Sequence, residues 1–250
     1  MTILVVTGTG TEIGKTVVTA ALAAAARGRS VAVLKPAQTG LLPGEHGDVA
    51  EVARLAGEVT AVELARFPDP LAPATAARRA GLAPLRPQEV ADAAQKLATE
   101  HDLVLVEGAG GLLVRFDDDG GTLADAAQLL GAPVLVVTPA TLGTLNATAL
   151  TAEALRARRL ECAGVVIGSW PAEPGLDARC NLVDLPEAAG APLAGAVPEG
   201  AGLLEPAVFR DRAPGWLAPH IGGTWAAAPD VPRLSGNPPR SPEYGGPSGA

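Results

Sequence analysis

The amino-acid sequence predicts an α/β protein, a three-layer α/β/α domain around a mainly parallel sheet. Three observations lead there. Short apolar runs recur along the chain, and their valine, isoleucine and leucine residues are continuous rather than alternating with polar ones, the pattern of strands covered on both faces. Segments with helical spacing fill the intervals, and such a strand-helix alternation closes into one layered domain with right-handed crossovers. The composition, 48% hydrophobic and 18% charged over 250 residues, supports a sizeable core, and the length suits one to two domains at roughly 150 residues each.

In chain order, the first run is Ile3–Val6, followed by a glycine-rich loop and an Ala-rich helical segment from Lys15 to Arg27. Val31–Leu34 is the next run, and after the loop from Gly40 to Gly47 a second helical segment covers Asp48 to Ala56. Pro87 to Glu100 has helical spacing and leads into Leu103–Val106. Val134–Val137 precedes a long helix candidate, Thr144 to Arg159, whose end carries three arginines, which suit the negative end of the helix dipole. Val165–Ile167 and Leu193–Val197 complete the set.

Residues 1–222 form the expected domain, and 223–250 a Pro/Gly-rich tail. From Ala226 onward the chain has six Pro, four Gly and one aromatic residue, Tyr244, without apolar periodicity. Such a segment buries too little surface to offset its chain entropy and is expected to be disordered.

The balance of Lys+Arg 19 against Asp+Glu 27 gives a net charge of -8 and argues against a nucleic-acid surface, which needs clustered cations. Any phosphate site must be local. No apolar run reaches the roughly 18–20 residues that span a bilayer, the N-terminus lacks a signal-peptide pattern, and two cysteines, Cys162 and Cys180, suit a reducing cytoplasm. Only Lys15, Lys35 and Lys96 are lysines among the 19 basic residues, so lysine positions carry information.

Directly after the first run comes Gly8 to Thr16, GTGTEIGKT, opening the first helix. Inward-pointing N–H groups of such a loop, with the positive helix end, form a nest for phosphate oxygens. Lys15 then reaches the β- and γ-phosphates and Thr16 offers its hydroxyl to Mg²⁺. This predicts a P-loop NTPase-like fold, although five residues rather than four separate Gly8 from Gly14. A plain glycine turn between strand and helix is the alternative.

A phosphate loop needs an acidic metal partner at a neighbouring strand end. Glu107 stands where the third of these runs leaves the sheet, and Gly108, Ala109, Gly110 and Gly111 after it permit close approach of a ligand. Asp48, after the Gly40–Gly47 loop, is the candidate third oxygen beside Thr16 and Glu107. A solvated loop glutamate and a helix N-cap are the simpler readings of these two carboxylates. Lys35 ends the second run and should face the same crevice near the γ-phosphate, unless it snorkels to the surface. Thr39, just beyond, offers a hydroxyl.

With Gly8–Thr16, Lys35-Pro-Ala-Gln-Thr39-Gly40, Glu107–Gly111 and Leu142-Gly-Thr-Leu-Asn146 in this order, the chain resembles the dethiobiotin synthase family from about residue 2 to 220. The resemblance implies a parallel-sheet homodimer that makes a cyclic urea from 7,8-diaminopelargonate, CO₂ and MgATP. It implies that Glu12, Ile13, Gly14, Lys15, Thr16 and Val17 hold the phosphates, and that Thr16, Asp48 and Glu107 surround Mg²⁺. Thr11, Lys15, Lys35 and Thr39 then line the place where substrate amines and carbamate meet the γ-phosphate. Leu142, Gly143, Thr144 and Asn146 correspond to a clamp for the substrate carboxylate that reaches across the dimer. The same resemblance implies nucleotide-base contacts at Gly168 and Ser169 and at Val197, Pro198 and Glu199. Two departures stand out: Ala147 where the family often has His, and Gly168-Ser169 where many members have Asn.

Other functions use the same scaffold. A partitioning-type ATPase switch usually carries an extra lysine early in the phosphate loop, where this chain has Gly10. An amidoligase or a small-molecule kinase is a further alternative.

Overall fold

A computed structural model of the chain describes residues 2–226. The expected tail, 223–250, therefore lies outside the described residues from 227 onward. The sheet has seven strands, β1 (Thr2–Gly8), β2 (Val31–Thr39), β3 (Thr60–Phe67), β4 (Leu103–Gly111), β5 (Val134–Thr138), β6 (Cys162–Trp170) and β7 (Leu193–Pro198), in the order β3-β2-β4-β1-β5-β6-β7. Every pairing is parallel. Among the described residues seven α-helices lie between the strands, α1 (Lys15–Ala25), α2 (Asp48–Ala56), α3 (Pro73–Ala80), α4 (Pro87–Ala98), α5 (Leu123–Leu130), α6 (Thr144–Ala157) and α7 (Leu176–Ala189), and an eighth, α8 (Pro206–Arg212), follows β7.

Two apolar cores sandwich the sheet. Val5, Ala32, Leu34 and Val106 point into the core shared with α3, α4, α5, α6 and α7. Leu4, Val6, Val33 and Leu105 point the other way, toward α1, α2 and the segment around Phe209 and Leu217. The continuous apolar runs follow from this, because alternate residues of each strand face different cores. The alanine bias has a place too: Ala20, Ala21, Ala23 and Ala24 of α1 are all buried, and side chains this small let the helix lie flat against sheet and neighbour. Truncating a fully buried strand leucine such as Leu105 costs about 2–5 kcal/mol.

The six expected strands are present, and the structure adds a seventh. The edge strand β3 is half-buried along most of its length, so it lacks the unbroken apolar run that marks the others. Its charged residues Glu63 and Arg66 pair with each other at 2.6 Å. No helix among the described residues is long and apolar enough to cross a membrane.

Sheet order creates a crevice. Strands β2 and β4 pair only as far as Leu34 and Val106, after which β2 continues from Lys35 to Thr39 on β3 alone. The two strands part at the residues where lysine and glutamate stand, leaving an opening at the carboxyl ends of the strands.

Candidate functional site

The phosphate loop joins β1 to α1. Glu12 takes a left-handed φ of 57° and Gly14 one of 91°, so the chain turns sharply before its N–H groups open α1. At Gly14 an added Cβ would meet the Gly168 carbonyl at 2.3 Å, and at Gly168 one would meet the Ile13 carbonyl at 2.0 Å. The loop is thus packed backbone to backbone on the end of β6, and only glycine fits on either side. On the other flank, β4 departs from its register with β1 between Glu107 and Gly111, and Gly110 has a φ of 75° with Thr11 close by.

A cavity of about 750 Å³ lies between these walls, lined by Thr11, Glu12, Ile13, Gly14, Lys15 and Thr16 from the loop, by Lys35 and Thr39 from β2, and by Asp48, Glu107, Ala109 and Gly110. Lys15 Nζ donates to the Gly10 carbonyl at 2.8 Å. Burial, reinforced by the neighbouring Lys35 charge, lowers the Lys15 pKa below its ordinary value of 10.5, against the pull of Glu107 and Asp48. Thr16 Oγ1 donates to Glu107 Oε1 at 3.0 Å.

Lys35 is the electrostatic centre. Only 3% of the residue is exposed, and its ammonium donates to Glu107 Oε1 at 2.9 Å and the Gly108 carbonyl at 3.1 Å while pairing with Asp48. Burial by itself would lower its pKa, but the charges and hydrogen bonds of Glu107 and Asp48 outweigh that and hold it above the ordinary lysine value. Lys35 is therefore no surface lysine, and Glu107, 1% exposed, no solvated loop residue. Nor is Asp48 the cap of α2. Gly47 holds that position, the Asp48 N–H donates to Gln38 Oε1 at 2.9 Å, and its carboxylate is left for Lys35.

Glu107 Oε2 is buried without a hydrogen-bond partner, one of two such side-chain atoms among the described residues, the other being Thr7 Oγ1. Leaving a carboxylate oxygen so costs free energy unless a ligand satisfies it. The Thr16 hydroxyl and the Asp48 carboxylate line the same cavity, and hard oxygens of this kind are what Mg²⁺ would take. Among the described residues no group of three or more His, Cys, Asp or Glu is arranged to hold a metal.

Some expected residues lie elsewhere. Leu142, Gly143 and Asn146 are exposed, and Thr144 is buried at the start of α6; none lines the cavity of its own chain. Gly168 packs against Ile13 of the loop, Val197 and Val17 belong to the apolar core that Ile13 also joins, and Ser169, Pro198 and Glu199 are exposed at the ends of β6 and β7. The sequence reading had no role for Gln38, nor for Pro70–Pro73 and Val114, which close the cavity over Ala37. Gln38 sits in the quoted Lys35–Gly40 motif, but the Pro70–Pro73 wall depends on β3 and carried no signal of its own.

This loop and sheet define a P-loop NTPase-like protein. A ParA-family ATPase from Chlorobium tepidum shares the fold, with a TM-score of 0.54 over 88% of this chain and 96% of that one at 14% identity. A family model described as an AAA domain matches residues 2–207. Curated relatives are far nearer in sequence. The ATP-dependent dethiobiotin synthetase of Streptomyces coelicolor is 72% identical over 91% of this chain and 96% of its own length, and that of Saccharopolyspora erythraea 71% identical over 90% and 100%. The chain belongs to the dethiobiotin synthetase family and is a ligase.

Proposed function

We propose that the chain uses ATP to close 7,8-diaminopelargonate and CO₂ into the cyclic urea of dethiobiotin, with residues 1–222 as the working domain. The observation that carries this reading is the buried Lys35 held between Glu107 and Asp48 beside a phosphate loop, facing a cavity of about 750 Å³. One substrate amine adds to CO₂ to give a carbamate; a carbamate oxygen attacks the γ-phosphorus in line and ADP departs. The second amine then attacks the carbamic-phosphoric carbonyl, the ring closes, and phosphate leaves with the C–O bond electrons.

No protein nucleophile is required, so the residues position groups and stabilise charge. The amines are tethered to each other, and well-oriented intramolecular attack is worth about 7–11 kcal/mol. Loop N–H groups from Glu12 to Val17 cradle the phosphates, Lys15 reaches their β- and γ-oxygens, and Lys35 bridges carbamate and γ-phosphoryl oxygens. Thr11 and Thr39 supply hydroxyls to the amine end. Mg²⁺, held by Thr16, Asp48 and Glu107, would neutralise charge shared between the phosphates. Ser169, Gly168 and Val197–Glu199 lie where the base extends from the loop. Leu142–Asn146, outside the cavity of their own chain, are assigned to the substrate carboxylate in the partner's site of a homodimer, since N–H groups at a helix start favour an anion.

The test is incubation with diaminopelargonate, bicarbonate and MgATP, read by mass spectrometry for dethiobiotin. ATP hydrolysis without the cyclic urea would overturn the reading in favour of an ATPase switch.

A further inference from the structure

Four threonine hydroxyls form a cluster on the side of the phosphate loop away from the ion pairs. Thr138 Oγ1, at the end of β5, lies 3.1 Å from Thr9 Oγ1, 2.6 Å from Thr144 Oγ1 and 3.0 Å from Thr148 Oγ1. Thr138, Thr144 and Thr148 are fully buried, whereas Thr9 belongs to the loop. The proton directions follow from counting, because each hydroxyl has one hydrogen to give. Thr144 Oγ1 donates to the Pro139 carbonyl at 2.7 Å, and a carbonyl can only accept. Thr144 must therefore accept from Thr138, which has then used its proton and must accept from both Thr9 and Thr148. The chain runs one way, from the phosphate loop through Thr138 into the turn that opens α6.

Backbone contacts hold the same pieces. The Thr9 N–H donates to the Val137 carbonyl at 2.9 Å, and the buried Asn181 amide donates to the Ala140 and Thr141 carbonyls at 2.8 and 3.3 Å. Between these anchors Leu142 is 83% exposed. A turn fixed so firmly from below, with its upper residues in solvent, is built to present something.

We propose that Thr138 is a positioning residue that fixes the first turn of α6 to the phosphate loop, so that the loop and Leu142–Asn146 move as one body. The consequence for substrate rests on the assignment of Leu142–Asn146 to the diaminopelargonate carboxylate. Thr138 touches no substrate; it acts through Thr9 at one end and Thr144 at the other.

The measurement is steady-state kinetics of Thr138→Val, close in shape but without a hydroxyl, beside Thr138→Ser. Valine is expected to raise the KM for diaminopelargonate roughly fivefold to thirtyfold, as loss of two or three buried hydrogen bonds implies, with kcat within about twofold of wild type; serine should restore the constant. Thr9→Val detaches only the half-buried loop end, folds even if the buried variant does not, and should shift the same KM in the same direction. Unchanged constants in both valine variants, or a serine variant as poor as valine, overturn the proposal. Asn146→Ala separates it from the carboxylate assignment. If that variant leaves the diaminopelargonate KM alone while Thr138→Val raises the KM for ATP, the assignment falls and the hydroxyl chain stands. If Asn146→Ala raises the diaminopelargonate KM and Thr138→Val moves neither constant, the reverse holds.

Discussion

The two flanks of the phosphate loop are built from opposite materials. Toward β4 and β2 stand Lys35, Glu107 and Asp48, the lysine paired directly with both carboxylates. Toward β5 and β6 stand threonine hydroxyls and the bare backbone of Gly168. Buried charge is costly unless paired, so its concentration on one flank marks where an additional charge is to be received. The neutral flank receives none and gives the loop its position. Charge and shape are thus supplied by different strands, and substitutions on the two sides should fail differently.

The largest effect is expected at the centre of the charged flank. Lys35→Ala removes the cation proposed to face the reacting oxygens and should lower kcat for dethiobiotin about 10²–10³-fold. Lys35→Arg should come close to that loss, because a planar fork cannot replace a compact ammonium between Glu107, Asp48 and the Gly108 carbonyl. Near wild-type turnover of the arginine variant would remove Lys35 from the mechanism. Both variants should also be less stable, since the alanine leaves Glu107 buried and unpaired, at about 3–5 kcal/mol.

Glu107→Gln tests the metal half of the same flank. The amide keeps the volume and one acceptor for Thr16 and Lys35, but it replaces the buried oxygen that has no partner. The Mg²⁺ concentration for half-maximal turnover should rise by about 10–100-fold, the range found when groups supporting a metal site are changed. An unaltered Mg²⁺ titration would place the cation elsewhere.

The neutral flank should respond in stability rather than in metal dependence. Gly168→Ala forces a methyl to within 2.0 Å of the Ile13 carbonyl and 2.7 Å of Val137 Cγ1, so strand or loop must move. Overpacking of this kind costs about 1–3 kcal/mol, a fall in Tm on the order of 5 °C for a domain of this size. The Mg²⁺ titration of Gly168→Ala should match the wild type once the protein is folded; a shift there would show that the two flanks are not separable.

How much of this contrast the sequence displayed depended on range. The charged flank was legible because its residues follow unmistakable signals: Lys35 and Glu107 each come directly after an apolar run, and Lys15 closes the glycine-rich loop after the first run. In a chain otherwise supplied with arginine, lysine at two of those places was a further sign. The hydroxyl cluster of the neutral flank was illegible for a physical reason. Thr9, Thr138 and Thr144 are ordinary residue types separated by as many as 129 positions where they meet, and hydroxyl clusters leave no periodicity. Likewise β3 escaped notice because an edge strand need not be apolar on both faces, and with it went the Pro70–Pro73 wall. Asp48 was visible but ambiguous: only the structure shows Gly47 taking the cap and Gln38 taking the Asp48 N–H.

The smallest effect expected lies within the charged flank and has the opposite sign to that of Lys35. In the ligand-free protein the pKa of Lys15 is lowered, first by burial and then by Lys35, so its charged form is less favourable folded than unfolded. Below its folded pKa that charge lowers stability; as pH rises from there toward the ordinary value of 10.5 the penalty is relieved. For Lys35, held above that value, the contribution is stabilising at neutral pH and is lost only as pH climbs through its raised pKa. Lys15→Met should therefore raise Tm at pH 7, by on the order of 1–3 °C, while Lys35→Met lowers it, and both should lower turnover sharply. Calorimetry of the two variants without nucleotide or Mg²⁺ decides the matter. A fall in Tm for Lys15→Met would mean that its bond to the Gly10 carbonyl outweighs the cost of burying its charge, and that the loop is stabilised rather than strained by the lysine it holds ready for phosphate.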